Sequence, residues 1–146
     1  MRDYVIFTDS ACDIPPALLQ EWGVRCESLS FRFHGEDREW ANGEMAPAEF
    51  YARMRAGQVA TTSAVNIDTF KRAFEEELAA GRDVLYLGFS SGLSATCQSG
   101  IMAGRELEEE HPGSRVVAVD TLCASAGFGM LVYLAVQRKK AGATLD

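Results

Sequence analysis

Residues 84–94 read VLYLGFSSGLS, and residues 95–110 continue ATCQSGIMAGRELEEE. A short apolar run that ends in glycine and serines and then passes into a helical repeat is the signature of a buried strand feeding a crossover helix. The spacing predicts a strand over Val84–Gly88 and a helix from about Ser94 to Glu110, stopped by His111-Pro112-Gly113. Working outward, the runs Tyr4–Thr8 (YVIFT), Val24–Phe33 and Val116–Val119 (VVAV) read as further strands. About four short strands alternating with longer amphipathic stretches predict an α/β domain built on a mostly parallel sheet flanked by helices.

The intervening helices carry their own punctuation. Pro15-Pro16 opens one that Gly23 ends, and Pro47 opens another that stops at Gly57. Asn66 caps a third, whose Ile67, Phe70, Phe74 and Leu78 form a buried stripe closed by Gly81. The last spans about Ser125 to Lys140, with its cationic end at the negative pole of the helix dipole. Residues 34–46, polar and rich in turn formers, read as a hairpin excursion rather than a linker.

A chain of 146 residues fits one domain, and 47% apolar with 24% charged residues is the composition of a globular protein. The net charge of −7 argues against nucleic acid and against an anionic membrane surface. The first strand starts too early for a secretion signal, and no run approaches the ~20 apolar residues of a membrane span, so a cytoplasmic protein without stable membrane insertion is expected. Cys12, Cys26, Cys97 and Cys123 match no zinc or disulfide spacing and read as free thiols in a reducing compartment.

In a wound parallel sheet, ligands bind outside the carboxyl ends of the strands, where the strand order reverses. The residues there are Asp9-Ser10-Ala11-Cys12, His34-Gly35, Phe89-Ser90-Ser91-Gly92 and Asp120-Thr121-Leu122-Cys123, with Thr61-Thr62-Ser63 before a helix nearby. Hydroxyls beside unpaired N–H groups at helix N-termini suit a carboxylate or phosphate. Asp9 and Asp120 also suggest Mg²⁺, but carboxylates in such positions more often accept hydrogen bonds from loop N–H groups, and no metal is expected.

Two rival functions arise from the same edge. Gly88-Phe89-Ser90-Ser91-Gly92 satisfies G-x-S-x-G, the nucleophile elbow of serine hydrolases, with Ser90 as nucleophile. His111, however, follows the long helix and falls on the wrong side, and His34 lies in polar surroundings. A phosphate or nucleotide site is the other rival, but the chain lacks a P-loop, and Gly127-Phe128-Gly129 lies inside the last helix region instead of opening it.

The segments TDSACDIP (Thr8–Pro15), TTSAVN (Thr61–Asn66), GFSSGLSATCQSG (Gly88–Gly100) and VDTLCASAGFGM (Val119–Met130) resemble, in order and spacing, the motifs of the DegV family. The resemblance covers nearly the whole chain and implies a DegV-type N-terminal α/β lobe over residues 1–146, with the family's C-terminal lobe absent from this chain. It implies binding of a long-chain fatty acid, presentation of its carboxylate to an ATP-dependent fatty acid kinase subunit, no catalysis by the chain itself, and no cofactor. Carried over by motif, the carboxylate would meet Thr62, Ser63 and Ser94, with Thr61 and Ser91 adjacent. Candidates for the acyl channel are Phe89, Leu93, Ile101 and Phe128, with Phe31 and Phe33 also apolar and near. Departures from the family pattern at Val65, Ala95, Cys97 and Thr121 bear on ligand choice more than on fold.

Overall fold

A computed structural model describes residues 2–146. Strands β1 (Tyr4–Asp9), β2 (Val24–Glu27), β6 (Asp83–Gly88) and β7 (Val116–Asp120) form a parallel sheet in the order β2-β1-β6-β7. The chain winds from β1 outward to β2, then returns to the other side of β1 for β6 and β7. The reversal therefore lies between β1 and β6, where Tyr4 pairs with Asp83 and Phe7 with Tyr86.

Helices cover both faces of this sheet. On one, α3 (Ile67–Ala79) and α4 (Thr96–Glu110) enclose Phe7, Phe70, Phe74, Tyr86 and Leu107. On the other, α1 (Pro16–Trp22) and α5 (Ser125–Lys140) enclose Tyr4, Ile6, Leu19, Phe128, Val132 and Val136. Ile6 and Phe7 thus serve opposite cores, as the two-residue alternation of a strand requires. Asn66 caps α3 by accepting the Thr69 N–H at 2.9 Å, and Gly23 ends α1 at φ +69°.

The reading of Val24–Phe33 as one strand is corrected. The chain leaves the parallel sheet after Glu27 and enters a separate antiparallel sheet as β3 (Ser30–Phe33), between β4 (Trp40–Ala41) and β5 (Ala60–Ser63). The break is held at Leu29, whose N–H donates to Ser10 Oγ at 3.0 Å and whose carbonyl accepts the Asn42 N–H at 2.8 Å. The excursion over 34–46 is indeed a hairpin, and β5 is a strand where the sequence suggested only a segment leading to a helix. Helix α2 (Pro47–Arg55) lies by this small sheet, and its Phe50 packs edge-on to Phe31.

Three small residues let α4 approach the sheet. A Cβ on Gly88 would stand 2.7 Å from Cys97 Sγ, one on Gly104 2.7 Å from Val116 Cγ1, and one on Gly100 2.3 Å from Tyr86 Cε1. Gly100→Ala is therefore expected to lower stability by roughly 1–3 kcal/mol through overpacking. Gly127→Ala in α5, where nothing lies within 4 Å, should be neutral or stabilising by up to ~1 kcal/mol. Equal effects of the two substitutions in urea unfolding would contradict this packing account.

Candidate functional site

The end of β1 and the end of β6 are joined by one carboxylate. Asp9 is 0% exposed, and its Oδ2 accepts the Tyr86 hydroxyl at 3.0 Å and the Phe89 N–H at 2.9 Å. Its Oδ1 accepts the Ala11 N–H at 3.1 Å, starting the 3₁₀ turn Ser10–Cys12. Burial lifts the Asp9 carboxyl above the ordinary carboxylate range, opposed by these same donors. Burial likewise raises the Tyr86 phenol, helped by the Asp9 charge. Asp120, the equivalent residue of β7, accepts loop donors at Oδ1. Its Oδ1 accepts the Ser91 N–H at 3.2 Å and the Leu122 N–H at 3.1 Å, and the Ser91 hydroxyl leads the interactions that hold its carboxyl below the usual range. Both aspartates thus bind loop N–H groups, the role expected for them.

The turn between β6 and α4 is built from hydroxyls. Ser90 is only 7% exposed, its Oγ accepts the Gly92 N–H at 3.3 Å, and its own N–H donates to the Cys123 carbonyl at 3.1 Å. The helix starts at Thr96, later than the sequence suggests, because Ser94 stays outside it and accepts the Thr96 N–H at 3.1 Å. Ser94 Oγ also lies 2.9 Å from the fully buried Thr96 Oγ1, which in turn accepts the Val65 N–H at 3.3 Å. With Thr96 donating to Ser94, the Ser94 proton is free for an outside acceptor. The same link brings the chain just beyond β5 to the start of α4.

Thr61, Thr62 and Ser63 occupy β5, opposite Arg32, Phe31 and Ser30 of β3. Alternation along a strand sends Thr62 to one face and its two neighbours to the other. Thr62 lines a cleft of about 320 Å³ with Phe31, Met45, Phe50 and Tyr51. Ser63 lies on the face of Ser30 and Glu39, and the Ser30 hydroxyl, followed by that of Ser63, holds the Glu39 carboxyl low. The structure brings the end of β5 and Ser94 together but directs Thr62 and Ser63 apart. The signal for β5 was the cluster of β-branched residues Val59, Thr61 and Thr62, bounded by Gly57 and Asn66, with no apolar alternation to mark it.

The four acyl candidates do not converge on one wall. Phe89 stacks on Phe128 at 6.5 Å, and Phe128 belongs to the core under α5. Ile101 packs against the core on the opposite face of the sheet, while Leu93 stands 68% exposed at the edge. Phe31 and Phe33 form a third core with Met45. A larger trough of about 780 Å³, not foreseen from the sequence, adjoins the Thr62 cleft at Asp13, Asn42 and Tyr51 and runs past Ile14, Leu19 and Cys26.

The loop after β7 is tightly held. Thr121 Oγ1 donates to the Gly88 carbonyl at 2.8 Å and accepts the Cys123 N–H at 3.3 Å. Leu122 and Ser125 nevertheless have positive φ, +53° and +50°, and Leu122 is 73% exposed beside Leu93's turn. As for the rival chemistries, His111 lies at the far end of α4 from Ser90, its Nε2 3.9 Å from Glu75, and His34 follows β3. Gly129 serves packing, since a Cβ there would stand 2.6 Å from the Cys12 carbonyl oxygen. Among the described residues, no group of three or more His, Cys, Asp or Glu is arranged to hold a metal ion, and no helix is long and apolar enough to cross a membrane.

Comparison with known proteins adds to this geometry. A family model described as "Uncharacterised protein, DegV family" matches residues 3–146. A DegV domain-containing protein of Clostridium perfringens is 39% identical over 147 residues, covering 100% of this chain and 50% of that protein. A protein of Thermotoga maritima named "fatty acid-binding protein" is 31% identical over 146 residues, covering 97% of this chain and 48% of its own. The solved structure of a fatty-acid-binding DegV family protein from Thermus thermophilus superposes with a TM-score of 0.85 at 35% identity, covering 99% of this chain and 50% of that one. The chain spans about half the length of the curated relatives it matches.

The raised Asp9 carboxyl has a measurable consequence. The native state holds that proton more tightly than the unfolded chain, whose value is near the ordinary 3.8. The resulting stabilisation is complete below the unfolded value and is lost as pH rises through the folded one. The stability of the wild type relative to Asp9→Asn is therefore expected to fall across that interval. A difference that stays flat with pH in denaturant titrations would show that Asp9 titrates normally.

Proposed function

The chain belongs to the DegV family, and from that premise we propose that it is the N-terminal lobe of a carrier that holds a long-chain fatty acid by its carboxylate. The headgroup falls to Ser94 first, at the turn after β6, with Thr62, Ser63, Thr61 and Ser91 as further candidates, of which Thr62 faces the cleft with Phe31 while Thr61 and Ser63 face the other side of β5. The observation that carries this reading is the run from Ser94 Oγ through Thr96 Oγ1 to the Val65 N–H, which sets a donor-capable hydroxyl beside the end of β5. Its donors are neutral, and the Oδ1 of the nearby Asp120 carboxylate is taken up by the Ser91 and Leu122 N–H groups.

Affinity then rests on the tail, since each buried methylene contributes about 0.8 kcal/mol. Phe89 and Leu93 stand at the headgroup edge, Phe128 backs Phe89, and Ile101, on α4, packs against the core on the opposite face of the sheet. The relatives' names for fatty acid binding support a fatty acid as the ligand. In the full carrier a cytoplasmic ATP-dependent kinase subunit would act on the presented carboxylate, and this chain would contribute binding and orientation without chemistry of its own.

Titration calorimetry of the delipidated protein with oleate tests the reading. Ser94→Ala and Thr62→Ala are each expected to weaken binding tenfold or more, given about 1.5–3 kcal/mol for a hydrogen bond to a charged group, with unfolding midpoints little changed. Wild-type affinity in both variants would sink the proposal.

A further inference from the structure

Thr96 opens α4 and is 0% exposed, so its hydroxyl finds its partners inside the protein. Among the described residues Thr96 Oγ1 has two, the Val65 N–H at 3.3 Å and Ser94 Oγ at 2.9 Å. A backbone N–H only donates, so Thr96 accepts at Val65 and its own proton goes to Ser94. Ser94 Oγ also accepts the Thr96 N–H at 3.1 Å. A hydroxyl has two lone pairs and one proton. Both lone pairs of Ser94 are therefore filled by one neighbour, and a proton is all that Ser94 has left to offer. Its backbone is fixed as well: the Ser94 N–H donates to the Ser90 carbonyl at 3.1 Å, and the Ser90 N–H donates to the Cys123 carbonyl at 3.1 Å.

We propose, on the premise that Ser94 meets the fatty acid headgroup, that Thr96 is a positioning residue that makes Ser94 a donor only, so that the site selects an ionised carboxylate over a neutral head. An ionised carboxylate is acceptor alone and complements such a donor with a charge-assisted bond. A protonated acid or an alcohol carries a proton of its own to place, and Ser94 has no lone pair to receive it.

The surroundings favour the same charge state. α4 has neither a side-chain cap nor an acidic residue in its first turn, so its positive pole beside Ser94 carries no anion of its own. The Asp9 and Asp120 carboxylates reach the turn at the Phe89 and Ser91 N–H groups, and among the described residues neither is bonded to Ser94. Thr121, by contrast, gives its proton to the Gly88 carbonyl at 2.8 Å and has none left for a ligand.

Titration calorimetry of the delipidated protein in mildly alkaline buffer, with oleate and with oleyl alcohol, separates head from tail, because the two ligands share one chain. The wild type is expected to favour oleate by about tenfold or more, the scale of a hydrogen bond to a charged group. Thr96→Val keeps the shape of the side chain, removes the hydroxyl and frees a lone pair of Ser94. It should erase most of that preference through weaker oleate binding, with oleyl alcohol held within about twofold, and Thr96→Ser should restore the preference. A packing role alone would weaken both ligands alike, and that result, or an unchanged preference in Thr96→Val, would overturn the proposal. Ser94→Ala separates the two levels: weakened oleate binding there beside an unaffected Thr96→Val leaves the headgroup at Ser94 and removes only the role of Thr96. Full oleate binding by Ser94→Ala, or none by the wild type, removes both. If Thr96→Val does not fold, the wild type decides, since equal affinity for oleate and oleyl alcohol contradicts a donor-only Ser94.

Discussion

The structure turns on one buried acid. Asp9 gives up its hydration to accept three donors from two different parts of the chain: the turn after β1, and the body and exit of β6. Removing a carboxylate from water costs several kcal/mol unless its lone pairs are filled, and here three donors offset part of that cost. In return, two neighbouring strands are forced to end in a fixed relation at the point where the sheet reverses. Tyr86 completes this arrangement from within the core, and Gly100 of α4 leaves room for its ring. The positions of Ser10, Phe89 and the serines after it all follow from that anchor.

Much of the main sheet was legible because its strands are apolar runs bounded by turn residues. β1, β6 and β7 fall within a residue of the expected ends, and Asn66, Gly23 and Pro47 mark helix boundaries as their chemistry requires. The small sheet was harder to see. Its strands are short, β5 is largely exposed and polar, and its pairing with β3 joins segments far apart in sequence, so no local periodicity announces it. The break at Leu29 depends on Ser10 and Asn42, residues that reach it only through the fold.

The candidate site was readable as composition but not as geometry. Hydroxyls do gather after the strands, yet most are already engaged: Ser90 with Gly92, Thr121 with Gly88, and Ser91 with Asp120. Ser94 stands out because its partner Thr96 can donate to it. Only the discovery of β5 reveals that Thr62 and Ser63, adjacent in sequence, look in opposite directions. The apolar residues chosen for a tail were separated for the same reason, since the sheet divides Ile101 from Phe128.

The left-handed residues after β7 bear on how this edge behaves. Leu122 and Ser125 hold backbone conformations that cost non-glycine residues on the order of 1 kcal/mol each. They persist because Asp120, Thr121 and Ser90 pin the segment from three sides. A loop fixed in that way is a template, not a hinge: the entropy of arranging it is surrendered when the protein folds, and a visiting molecule has none of that debt left to settle.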